Sequence, residues 1–258
     1  EILKVLAHEG THIASYKTIA SDVRKFVKTF QNVFNFDAYT IDLGELTTIM
    51  MKVDSFVCEY ARQYSLKSSE DKALVQFVSD LFSLIKIFTR TNVLAAFTPL
   101  YSSGFFSSVV SIIAAPATSS QEVSALRLEA LRVLQNLTII DTTAATRAFQ
   151  TQLQNSTAST PAILQLVNLL ARGPFTPSAP ASEQEATVQV QGLQHIARIL
   201  TFTITSSALR PALLSHGIFP AAMHAFLSLT SAPATATSAE TTAGAPATEQ
   251  QALAALRV

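Results

Sequence analysis

With 258 residues, a formal net charge of zero and only 14% charged side chains, this chain has no global field to draw nucleic acid or an anionic membrane towards it. Its 48% hydrophobic content and mean hydropathy of +0.31 are high for a soluble protein, and they suit helices buried on two sides by their neighbours. A lone cysteine, Cys58, excludes an internal disulfide framework and fits a reducing compartment.

The charges are unevenly spread. The first 90 residues hold 11 basic and 11 acidic side chains, and all seven basic residues after them are arginine. That skew is read as base composition of the gene rather than as chemistry.

The chain opens on a helical phrase, Glu1-Ile2-Leu3-Lys4-Val5-Leu6. It returns as Asp80-Leu81-Phe82-Ser83-Leu84-Ile85, Glu129-Ala130-Leu131-Arg132-Val133-Leu134, Gly192-Leu193-Gln194-His195-Ile196-Ala197 and Gln251-Ala252-Leu253-Ala254-Ala255-Leu256. Aligned on Leu3, Leu81, Leu131, Leu193 and Leu253, the steps are 78, 50, 62 and 60 residues. Self-similarity at such periods predicts stacked helical units. Because the chain both begins and stops inside this phrase, it is expected to be a segment of a longer protein.

Directly after the first phrase, His8-Glu9-Gly10-Thr11-His12 spells H-E-x-x-H. On a helix, His8 and His12 would lie one turn apart and bind zinc, with Glu9 activating the bound water. Two features oppose a zinc peptidase. Gly10 weakens a helix by about 1 kcal/mol relative to Ala and suits a helix end. A third ligand is also missing from the local pattern, since Asp22 and Glu45 qualify by position alone.

Ser21–Phe34 reads as an amphipathic helix with Ser21 as its N-cap. Leu43–Tyr64 reads as a longer one, with Ile49, Val53, Phe56, Val57 and Tyr60 on one side. Residues 1–71 are therefore taken as a divergent N-terminal helical region. Val93–Gln121 carries no charge, yet Pro99, Gly104 and Pro116 interrupt it, and no run of about 20 apolar residues survives to span a bilayer. It reads as two short buried helices around Ser102-Ser103-Gly104.

A second phrase repeats at a constant offset of 57 residues across Gly104–Pro116, Pro161–Gly173 and Ile218–Thr230. Val109, Leu166 and Met223 correspond, as do Ile112, Leu169 and Phe226, and Ile113, Leu170 and Leu227. Apolar residues three and four apart make one helical stripe. The predicted order is a short helix, a turn, a second helix, a linker and a longer core helix. Two Pro/Ala/Thr/Ser-rich stretches, 173–184 and 231–248, break this order at matching points and are read as inserted linkers.

This order, with Leu213-Leu214-Ser215-His216-Gly217-Ile218-Phe219-Pro220 ahead of an Ala-Leu-x-x-Leu helix, resembles the armadillo and HEAT repeat families over about residues 72–258. The resemblance implies an all-α, right-handed α-solenoid of four to five repeats, without catalysis or cofactor, that serves as a protein-interaction scaffold within a larger assembly. In armadillo repeats an Asn on the core helix faces a concave groove and bonds the backbone of an extended partner. Asn136 matches that position, with His8, Lys86 and Arg198 as its equivalents. Lys4, Phe82, Arg132 and Gln194 lie one turn earlier. These eight residues form the expected partner-binding stripe, mildly basic and suited to an acidic or extended segment. The expected setting is intracellular, cytoplasmic or nuclear, with no membrane. A nucleic-acid-binding solenoid would need a continuous basic face, which seven arginines balanced by seven acids after residue 90 do not favour.

Overall fold

The computed structural model describes residues 16–32, 42–66, 71–91, 93–115, 121–155, 160–173 and 183–230. Among these residues the chain is all-α, with eleven α-helices, one 3-10 turn and no strand. In chain order they are α1 (Tyr16–Phe30), α2 (Leu43–Leu66), α3 (Lys72–Phe88), the 3-10 turn Leu94–Phe97, α4 (Thr98–Ser102) and α5 (Phe105–Ala114). Then come α6 (Gln121–Ile140), α7 (Thr142–Asn155), α8 (Ala162–Arg172), α9 (Glu183–Ile204), α10 (Arg210–Ser215) and α11 (Ile218–Thr230).

Three aspartates start helices. Asp42 accepts from the Glu45 amide at 2.8 Å, and Asp141 accepts from the Ala144 amide at 2.8 Å. Asp71 accepts from the amides of Ala73 and Leu74 at 3.0 and 3.3 Å. Each carboxylate satisfies amides that have no partner within the first turn and lies at the positive end of the helix dipole.

Ser21, by contrast, is not the cap expected of it. Helix α1 starts five residues earlier, at Tyr16, because the apolar stripe Tyr16, Ile19, Val23, Phe26 and Val27 is buried along its whole length. The Tyr16 hydroxyl also donates to Asp71 at 3.2 Å, tying this end to the start of α3. Burial of one more turn outweighs the modest gain from a serine cap. Helix α2 matches its expected start and runs on to Leu66, with the five expected core residues buried.

Packing follows two rows. Helices α1, α3, α6 and α9 pack in that order, each against the next, and carry the Asp80, Glu129 and Gly192 phrases. Helices α2, α5, α8 and α11 pack likewise in a second row, and α5 and α8 rest on α6 and α9. Along the chain α4 links α3 to α5, α7 links α6 to α8, and α10 links α9 to α11. Every residue of α5 that is buried is apolar (Phe105, Phe106, Val109, Val110, Ile112, Ile113), as expected of a helix enclosed on several sides. Phe106 sits in an aromatic cluster, edge-on to Phe149 with ring centroids 5.1 Å apart and tilted against Tyr101 at 5.7 Å.

Between α10 and α11 the chain turns at Gly217, with φ of 83°, a conformation that costs an L side chain roughly 1–2 kcal/mol. No single helix among the described residues is long and apolar enough to cross a membrane. The uncharged stretch forms a pair, Leu94–Ser102 and Phe105–Ala114, bent by 71°, at the serine-glycine turn expected of it. Ala96, Phe97, Leu100 and the apolar side chains of α5 pack into the protein core, while Leu94 is exposed.

Candidate functional site

The first residue of the repeated phrase has a structural role. Asp80, which opens it in α3, accepts from Arg24 of α1 at 3.0 Å and from Gln76 at 3.0 Å. Glu129, which opens it in α6, accepts from Lys86 of α3 at 2.7 Å and from Arg132 one turn on. In α9 that place is Gly192, and the neighbouring Gln191 accepts from Arg132 at 3.1 Å. Each of α3, α6 and α9 thus takes a hydrogen bond from a cation on the core-row helix before it. Gln135 of α6 and His195 of α9 add a further bond across the same boundary.

These groups shape one another's charge. Burial pushes the Glu129 carboxyl up, but its bonds and charge contacts with Lys86 and Arg132 outweigh that and hold it below its ordinary value. His195 is pushed down to about 4 by burial first, then by the charges of Arg132 and Arg198. It is therefore neutral at pH 7, with its Nδ1 proton donated to the Gln135 amide oxygen. Lys86, Glu129 and Arg132 form one ion-pair cluster across α3 and α6, with two cations against one carboxylate, and the Arg132–Gln191 and Gln135–His195 bonds carry it on to α9.

The expected stripe maps onto this patch unevenly. Lys86 and Arg132 are part of it, with side chains 26% and 35% exposed, and both are engaged by Glu129. Asn136 bonds the Thr89 hydroxyl at the end of α3 at 3.5 Å. Gln194 is half-buried and Arg198 is exposed. Phe82 must be removed from the partner-binding set, because it is fully buried. Helix α3 lies between α1 and α6 and against α2, so ten of its residues are buried and its open face is narrow. A lysine reaches that face along its methylene stem, whereas a phenyl ring one turn earlier stays beneath.

Lys4, His8 and His12 lie outside the described residues, as do residues 174–182 and 231–248 of the two inserted linkers. The helix α9 begins at Glu183, inside the first linker's expected span. Of the other proposed metal ligands, Asp22 pairs with Lys25 at 3.6 Å and Glu45 sits in the first turn of α2. No group of three or more metal-binding side chains occurs among the described residues.

Sequence reasoning did not single out Glu129, Gln191 or Gln135. The acid at the head of the phrase (Glu1, Asp80, Glu129) was the available signal for the first of them.

An open cleft of about 590 Å³ lies between α4 and the α6–α7 corner, lined by Leu94, Thr98, Tyr101, Asp141, Ala144 and Arg147. Tyr101 donates to the Leu137 carbonyl at 2.8 Å, and burial, followed by the Asp141 charge, raises its phenol well above the ordinary value. Asp141 is engaged as the cap of α7. The cleft therefore offers shape without an activated nucleophile or base.

Cys58 in α2 is half-buried. It donates to Asp54 at 3.3 Å and accepts from Ser108 at 3.3 Å, and burial is the main force raising its thiol to about 11. Asp54 also accepts from Ser103 at 2.7 Å, so this group links α2 to the α4–α5 turn.

What fold and patch define is an all-helical protein with a continuous polar seam. Comparison with family models, with curated proteins and with solved structures returned no match.

Proposed function

We propose that this chain is a non-catalytic, intracellular interaction scaffold: a right-handed α-solenoid of armadillo/HEAT-like repeats that binds a segment of a protein partner along its core row. The observation that carries the reading is the run of polar bonds that joins α3 to α6 and α6 to α9, the helices that bear the repeated phrase. Repetition of that kind makes an extended surface rather than a pocket, and extended surfaces suit extended ligands. The patch's excess of cations favours an acidic segment. Lys86, Arg132 and Asn136 serve this face mainly by joining its helices, which leaves Arg198 and Gln194 as the side chains open to a partner.

Proteins captured from native extract by the wild-type chain are compared with those captured by an Arg198→Glu/Gln194→Ala variant, with circular dichroism as the fold control. Partners held by the wild type are expected to fall about tenfold in the variant, the equivalent of roughly 1.4 kcal/mol. Equal capture by a folded variant removes the core row as the binding surface.

A further inference from the structure

The cleft between α4 and the α6–α7 corner carries two opposite charges on its walls, Asp141 and Arg147. Asp141 caps α7 through Oδ1, and its Oδ2 has no partner among the described residues. Arg147 lies about 9 Å further along the helix axis at 1.5 Å per residue. It is exposed, and its guanidinium has no partner among the described residues.

The rest of the polar wall accepts rather than donates. Its five hydroxyls all give their protons within the protein, at 2.7–3.1 Å. Thr98 gives to the Ala95 carbonyl, Tyr101 to that of Leu137, Ser102 to that of Thr98 and Thr151 to that of Arg147, while Ser103 gives to Asp54. What remains on the first four is oxygen lone pairs. Among the lining side chains Arg147 alone has protons to offer a ligand. The apolar part of the wall includes Leu94, 46% exposed, with Ile140 and Ala144.

This inventory sorts ligands by chemistry. A phosphate or sulfate needs several donors and would find one, set beside a carboxylate. A plain amine would meet the Arg147 charge. A molecule with a carboxylate at one end and N–H donors at the other satisfies both walls. We propose that the cleft binds a short peptide zwitterion, a dipeptide with an apolar side chain. Its carboxylate pairs with Arg147, its ammonium with Oδ2 of Asp141, and its side chain covers Leu94 and Ile140. An extended dipeptide spans about 7 Å, which suits charges held six residues apart on one helix, whereas a single amino acid spans half of that. The site shares no residue with the core-row seam and stands apart from the binding role proposed above.

Calorimetric titration of the full chain with leucyl-alanine tests the assignment, with saturable binding expected. N-acetyl-leucyl-alanine and leucyl-alanine amide each lack one terminal charge and are expected to bind about tenfold more weakly. Arg147→Gln should weaken the dipeptide by a similar factor and leave the amide unchanged. Asp141→Asn should do the same for the dipeptide while leaving the acetylated form unchanged, because asparagine caps a helix as well as aspartate does. Absence of saturable heat at millimolar dipeptide overturns the proposal. So does equal binding of the blocked peptides, or displacement of the dipeptide by an equal concentration of inorganic phosphate. Should circular dichroism show either variant unfolded, the blocked peptides and phosphate on the wild-type chain decide.

Discussion

The two rows of helices are joined by different forces. Between α5 and α8 the buried side chains are all apolar, from Phe105 and Val109 on one helix to Leu166 and Leu169 on the other. Between α3 and α6, buried leucines and phenylalanines are bordered by Lys86, Glu129, Arg132, Asn136 and Thr89. Hydrocarbon contact is strong but non-directional, whereas a hydrogen-bonded ion pair is satisfied in only one register. The difference suggests a division of labour: the second row supplies cohesion, and the core row fixes how one helix sits on the next.

The apolar row should give the largest effect. Phe106→Ala removes a fully buried ring from the Phe149–Tyr101 cluster, and urea unfolding should show a loss of about 3–5 kcal/mol. A loss under 1 kcal/mol would mean that the second row carries little cohesion.

Glu129→Ala strips the common acceptor from two half-buried cations and should cost about 1–3 kcal/mol. The sharper readout is a double-mutant cycle with Lys86→Met. A strong favourable coupling supports the seam as the register device, and additivity counts against it.

Acidification separates the rows further, because the titrating groups of the seam belong to the core row. His195 falls from 6.5 in the unfolded chain to about 4 when folded, so its contribution is complete above pH 6.5 and is lost as pH falls towards 4. After allowance for solvent screening this amounts to about 1–2 kcal/mol, measurable as a fall in urea midpoint that His195→Gln should flatten. Glu129 works in the same direction lower on the scale, its contribution being lost as pH falls through its depressed folded value. The smallest change is expected at Lys72, whose pair with Glu122 is largely exposed. Lys72→Ala should move stability by no more than about 0.5 kcal/mol in thermal unfolding.

Much of the helical framework was legible in the sequence because apolar spacing is a direct record of burial. Leu43 as the start of α2, the break at Ser103-Gly104 and the Val109 and Leu166 correspondence follow from periodicity, whereas Met223, at the third equivalent place, is exposed. Helix ends and side-chain exposure were less legible. Ser21 looked like a cap because local hydrogen bonding favours one there, yet packing against α3 extended the helix past it. Phe82 shares a turn with Lys86, but the width of a helix's open face depends on how many neighbours flank it, which spacing along one helix does not encode. The polar seam was hidden for a related reason. Lys86 and Arg132 look alike as exposed cations or as paired ones until the helix carrying Glu129 and the helix carrying Gln191 are laid beside them.

Cys58 has a practical consequence. With its thiol raised to about 11, the reactive thiolate at pH 7 is roughly one part in ten thousand, against a few per cent for an ordinary exposed cysteine. Alkylating or oxidising reagents will therefore react slowly with the folded chain and quickly once α2 pulls away from the α4–α5 turn. The single cysteine is a built-in clock for local opening, read by the rate at which a thiol reagent adds, without any substitution in the protein.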